Sequence, residues 1–167
     1  SNKVREFSEF NDYVAAYQAG LSAAFNFSPT QELVLQVTNF RSGEDKDMYV
    51  YGRPEGIAKA KVPVLSTLNW NGLFADKAIH LRYAASWGQQ AKGKNILYLT
   101  AGNIYKKGPV EAYLDVMYSR QGLDNHCIIS DMQGVVIENP VTAQNTEYLS
   151  VIADFDYRFH PHWNAYI

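Results

Sequence analysis

Much of what would identify an enzyme or a small secreted domain is missing from this chain. Its 167 residues contain one cysteine, Cys127, so no internal disulfide framework exists. Charged residues make up only 19% and the formal net charge is −2, which removes the electrostatic case for nucleic acid or an anionic membrane surface. No apolar run approaches the ~20 residues of a spanning helix, and the mean hydropathy is −0.28. There is no phosphate-cradling glycine loop, no nucleophile elbow, no zinc-protease helix and no paired-cysteine signature. The expectation is therefore no enzymatic activity, no catalytic residues, no metal site and no cofactor. The chain opens Ser1-Asn2 without a methionine and ends at Ile167 inside an expected strand, so it reads as a fragment.

None of these absences bears on a membrane β-barrel, whose alternating strands average to a mildly polar composition. What the chain has in quantity is aromatic: 12 Tyr and 8 Phe help bring the aromatic share to 14%. Aromatic and β-branched residues favour strands. The clearest strand is Ala78 to Trp87. Ile79, Leu81, Tyr83, Ala85 and Trp87 share one face, and His80, Arg82, Ala84 and Ser86 share the other. Ten such residues, rising about 3.3 Å each and tilted about 40°, climb ~25 Å, the height of an outer-membrane barrel's apolar band.

The pattern recurs along the chain. Residues 1–10 read as a loop. A first strand starts at Tyr13 and places Leu21, Ala23, Phe25 and Phe27 together, and a second runs Glu32 to Phe40 with Leu33, Leu35 and Val37 together. Further strands are expected at Val62–Asn71, Ala78–Trp87, Asn95–Tyr105, Val110–Ser119 and Thr146–Phe159, with an eighth beginning at Asn164. Connections at 28–31, 72–77, 106–109 and 160–162 are short, whereas 41–61 and 120–145 are long and 89–94 is a small basic loop. Short turns on one rim and longer loops on the other are the habit of outer-membrane barrels. The predicted fold is thus all-β: one antiparallel up-and-down meander of seven to eight strands over residues 1–167, forming a barrel or part of a larger one.

Function follows from which face is wet. His80, Arg82, Glu111, Asp115, Asp154, Asp156 and Arg158 fall opposite the apolar positions, and in a porin they line a water-filled lumen. In a soluble sheet they are simply the solvated outer face. Arg53, Lys59 and Lys61 sit on the 41–61 loop and are candidates for a positive constriction, against the plainer reading of a hydrated mixed-charge loop. Aromatics near expected strand ends (Tyr13, Tyr17, Phe25, Phe27, Trp70, Phe74, Trp87, Phe159 and Trp163) suit a membrane interface, or else the core of a soluble barrel. His126-Cys127 and His160-Pro161-His162 lack the further ligands of a metal site. The alternative class is a soluble β-barrel or sandwich that binds an apolar ligand or a glycan, and it inverts the two faces.

Three stretches resemble the phosphate-selective porin O/P type of bacterial outer-membrane porin. They are Thr67-Leu68-Asn69-Trp70-Asn71-Gly72 with the Leu81-Arg82-Tyr83 strand, Lys94-Asn95-Ile96-Leu97-Tyr98, and Asp156-Tyr157-Arg158-Phe159-His160-Pro161-His162-Trp163-Asn164. The resemblance implies a larger antiparallel barrel in the bacterial outer membrane, in contact with lipid and often trimeric. It implies passive diffusion of small solutes, including anions such as phosphate, and no nucleic-acid partner. No basic ladder matches the family's phosphate-binding residues position by position. Seven or eight strands alone leave two open edges, so the chain is expected either to close on itself or to pair edge to edge with another copy.

Overall fold

The computed structural model describes residues 19–39, 57–125, 142–143 and 145–167. The described residues form ten strands: β1 (Gly20–Ser28), β2 (Gln31–Asn39), β3 (Val64–Phe74), β4 (Ile79–Ala91), β5 (Lys94–Lys107), β6 (Val110–Gln121), β7 (Asp124–Asn125), β8 (Thr142–Ala143), β9 (Thr146–His160) and β10 (Trp163–Tyr166). Eight of them make one sheet in the order β1-β2-β3-β4-β5-β6-β9-β10, while β7 and β8 pair separately. Each neighbouring pair in the large sheet is antiparallel. This is the expected up-and-down meander. Among the described residues no helix is long and apolar enough to cross a membrane, which says nothing of strands.

Several boundaries differ from the sequence expectation, each for a local reason. The basic loop at 89–94 does not exist as such: β4 runs to Ala91, β5 starts at Lys94, and Lys92-Gly93 alone make the turn. Gly93 takes φ +72°, which an L side chain disfavours, and the ladder shifts register between Gln89 and Ala91 to accommodate the tight return. The connection expected at 72–77 shrinks to 75–78, because β3 continues through Gly72 to Phe74. Ala75, Asp76 and Lys77 all adopt positive φ there. The long 120–145 connection is partly strand, since β6 reaches Gln121 and β7 and β8 pair with each other beyond it. Tyr13, Tyr17, Arg53 and His126-Cys127 lie outside the described residues, as do most of the 41–61 loop and the 1–10 loop.

Register carries the alternation across the whole sheet. Phe25 pairs with Leu33, Leu33 with Trp70, Trp70 with Tyr83, Tyr83 with Ala101, Ala101 with Val116 and Val116 with Val151. One apolar row therefore crosses seven strands without slipping. One residue along, Ala24, Val34, Asn69, Ala84, Thr100, Met117 and Ser150 form the matching row on the other face. A slip of one residue in any strand would exchange the faces, so the hydrophobic pattern itself fixes this register.

The sheet curls toward its mixed, more polar face. Val34 on β2 and Ile152 on β9 line a single concavity of about 330 Å³ together with residues of β3 to β6. Burial is distributed accordingly. Tyr98 (2% exposed) and Ser119 (0%) on the concave face are buried, whereas Leu149 (65%) and Val151 (56%) on the convex face are exposed. Of the two expected outcomes, closure or edge pairing with another copy, the described strands do not show closure. The strand order is linear, and β1 and β10 occupy its two ends without pairing to one another.

Candidate functional site

The concave face is built by the even-numbered residues of β2, β4 and β5 and β9 and by the odd-numbered residues of β3 and β6, as the registers require. All seven residues singled out from the sequence sit on these positions. His80 lies in a row with Ile104, Tyr113 and Asp154. Arg82 lies in a row with Asn71, Gly102, Asp115 and Ile152. Glu111 stands between Lys106 and Asp156. Arg158 follows Asp156 on the same face, at the rim of the short turns.

Two groups result. Near the short-turn rim, Glu111 and Asp156 face each other across β6 and β9, an opposition of like charges that needs compensation. Lys106 Nζ approaches Glu111 Oε2 at 3.3 Å, and the Tyr113 hydroxyl donates to Glu111 Oε1. Asn164 Nδ2 donates to both Asp156 oxygens, at 3.1 and 3.2 Å. Asp154 is half-buried beside them, with its Oδ1 unsatisfied. This cluster is a braced structural network. The second group, around Arg82 and Asp115, is open: both side chains are exposed, and both line the concavity. Asn69, Thr67, Thr100 and Ser150 surround them with neutral polar groups. Thr67 and Ser86 hydroxyls share a hydrogen bond of 2.8 Å, and Asn71 Nδ2 donates to Glu32 Oε1 at 2.8 Å.

At the opposite rim the connecting segments close in. Lys92 N donates to Ala58 O at 2.9 Å and Gly122 N to Asn95 O at 2.7 Å. Ala60, Leu123, Gln121 and Asp124 are buried there, along with Ile96 and Tyr98 of the concave face. Lys59 and Lys61 are exposed on the segment that makes this approach. No group of three or more His, Cys, Asp or Glu able to hold a metal ion occurs among the described residues. His160 and His162 are 5.6 Å apart between ring centroids and sit at the exposed β9–β10 turn.

The convex face has its own internal order. Trp70 sits inside β3 rather than at its end, because β3 extends beyond the expected Asn71, and its neighbour Tyr83 lies within β4. Their rings meet at 5.6 Å, and Trp70 meets Phe74 at 6.1 Å. Gly72 lies beneath: a Cβ there would come within 2.7 Å of Phe74 Cε2 and 2.8 Å of Trp70 Cη2. The glycine is thus covered by two rings that fill the space a side chain would take. Asn103 is a polar residue in the middle of this face. It accepts from the Tyr83 hydroxyl at 3.0 Å and donates to Leu114 O at 2.9 Å, so its amide is paired on both sides.

Sequence reasoning found seven charged residues of the concave face but missed Glu32, Lys106 and Asn164, which form hydrogen bonds and an ion pair on that face. The signal for Glu32 and Lys106 was present as the same alternation; Asn164 depended on where β10 would turn back. No curated protein and no solved structure matches the chain. The family model described as phosphate-selective porin O and P matches residues 1–167, and with its meander, curl and divided faces this chain belongs to that family.

Proposed function

We propose that this chain forms part of the wall of a bacterial outer-membrane porin that passes small polar solutes by passive diffusion. The observation that carries the reading is the inversion of burial. The apolar side chains Leu21, Phe25, Leu114, Leu149, Val151 and Phe155 are exposed on the convex face, while polar Ser86, Ser119 and Gln121 are buried on the concave one. Water penalises such an arrangement, at about 25 cal/mol per Å² of apolar surface left exposed. Hydrocarbon does not, and it demands that every backbone group outside a closed strand ladder find a partner. Further strands, from the same or another chain, would then complete the ladder at β1 and β10.

On this reading His80, Arg82, Glu111, Asp115, Asp154, Asp156 and Arg158 face the lumen, and Lys59 and Lys61 stand at its narrowed mouth, with Arg53 on the same connection. The family membership favours a channel over an enzyme and supports the outer membrane as its location. The soluble alternative would bury Leu114 and Phe155, whose exposures of 45% and 47% run against it.

The test is chemical labelling of single cysteines at Leu81 and Arg82 in the intact protein in vesicles, with the native Cys127 replaced by Ala. A membrane-impermeant, water-soluble maleimide should react with the Arg82→Cys variant and spare the Leu81→Cys variant, and a lipid-soluble reagent should do the reverse. Equal reaction of both positions with the water-soluble reagent would remove the lipid-facing assignment.

A further inference from the structure

Among the described residues, the concave face carries a pair of opposite charges, Arg82 and Asp115, that are not bonded to other side chains. Arg82 and Asp115 occupy the same transverse row on β4 and β6, with Gly102 of β5 between them. At about 4.8 Å per strand, their backbones are ~10 Å apart. Among the described residues neither side chain takes part in a hydrogen bond or an ion pair, unlike those of Glu111 and Asp156, which are braced. The missing side chain at Gly102 matters. A Cβ there would stand 3.3 Å from Asp115 Oδ1 and 3.7 Å from Arg82 Cβ, so any larger residue would fill the floor between the two charges. Instead the floor is bare, and it opens into the 330 Å³ concavity, flanked by Asn69, Thr100 and Ser150.

The geometry points to a solute site for dipolar molecules, resting on the porin reading above. Arg82 would take a carboxylate, Asp115 an ammonium group, and the neutral hydroxyls and amide the atoms between. A guanidinium suits a carboxylate because its parallel donors match the two oxygens. A lone phosphate finds Arg82 favourable but Asp115 repulsive, so this part of the wall does not select it. Zwitterionic amino acids and short peptides satisfy both ends at once. A site built from two isolated charges also avoids the tight binding that would stop conduction, since solutes must leave as readily as they enter.

The experiment is liposome swelling with the protein that carries this chain, using glycine, a neutral polyol of similar size and inorganic phosphate, alongside single-channel conductance in planar bilayers. A unit charge about 7 Å from a passing ion in water changes its local population roughly threefold. Wild-type protein should therefore admit glycine about threefold faster than the polyol. Arg82→Gln and Asp115→Asn should each abolish that advantage, and Asp115→Asn should raise phosphate entry about threefold. Arg82→Lys, which keeps the charge, should retain most of the advantage and serves as the check that the Gln variant acts through charge. Rates ordered by size alone, unchanged in the variants, overturn the dipolar site while leaving a channel. Absence of any conductance or swelling in the wild type overturns the porin reading beneath it.

Discussion

Replacing Leu114 with arginine separates a membrane wall from a soluble sheet by the sign of its effect. Leu114 is the middle one of the convex-face residues Val110, Ala112, Leu114, Val116 and Tyr118 along β6, and it is 45% exposed. In water an exposed leucine tolerates arginine, and the change should fall within about 0.5 kcal/mol. At the centre of a bilayer the same arginine costs about 2–4 kcal/mol. At tenfold per 1.4 kcal/mol, the folding equilibrium falls roughly 30- to 700-fold. Thr100 supplies the control. It lies on the concave face in a row with Ala84 and Met117, lines the concavity and is half-buried. An arginine there projects into water if the face is a lumen, with a cost of about 1 kcal/mol or less. The assay is equilibrium unfolding in urea from phospholipid vesicles, read by tryptophan fluorescence and far-UV circular dichroism. A Leu114→Arg variant as stable as wild type, beside a strongly weakened Thr100→Arg variant, would refute the reasoning outright.

Two further substitutions probe the convex face. Gly72→Ala places a methyl within 2.8 Å of the Trp70 ring and 2.7 Å of Phe74; we expect a loss of about 1–3 kcal/mol and a weakened near-UV signal. Adding Phe74→Ala should recover part of that loss, whereas a silent Gly72→Ala variant would mean the rings do not seal the glycine. Tyr83→Phe removes the hydroxyl that donates to Asn103 Oδ1 at 3.0 Å. Leaving that oxygen unpaired toward hydrocarbon should cost about 1 kcal/mol. The double variant Tyr83→Phe/Asn103→Leu should be more stable than Tyr83→Phe alone, because no orphaned amide remains, and a further drop would exclude the pairing argument.

The strands were legible because their signal is purely periodic. A run such as Ile79, Leu81, Tyr83, Ala85 and Trp87 has one interpretation in period two, and its neighbours repeat it. Errors gathered at the ends. Gly72 looked like a turn residue, yet it lies inside β3, because Trp70 and Phe74 close over it and remove the reason for the chain to bend. Lys92-Gly93 looked like the middle of a longer loop, yet a single positive φ at Gly93 completes the reversal and lets Gln89, Gln90 and Lys94 join the ladder. Both mistakes come from reading glycine by type, without knowing which side chains lie over it.

By itself the sequence determined the two faces, their chemistry and the order of the meander, since alternation is a property of each strand alone and short turns force neighbours to pair. The tertiary structure decided which way the sheet curls, and hence that the mixed, more polar face is the concave one. Curl depends on the summed twist and on the size of side chains facing each other across seven interfaces, quantities that no single strand contains. It also decided that Arg82 and Asp115 stand across a bare glycine with no side-chain partner among the described residues, while Glu111 and Asp156, alike in sequence, are tied down by Lys106, Tyr113 and Asn164. Residues thirty or more positions apart become neighbours only through register, and register is settled by the whole sheet at once.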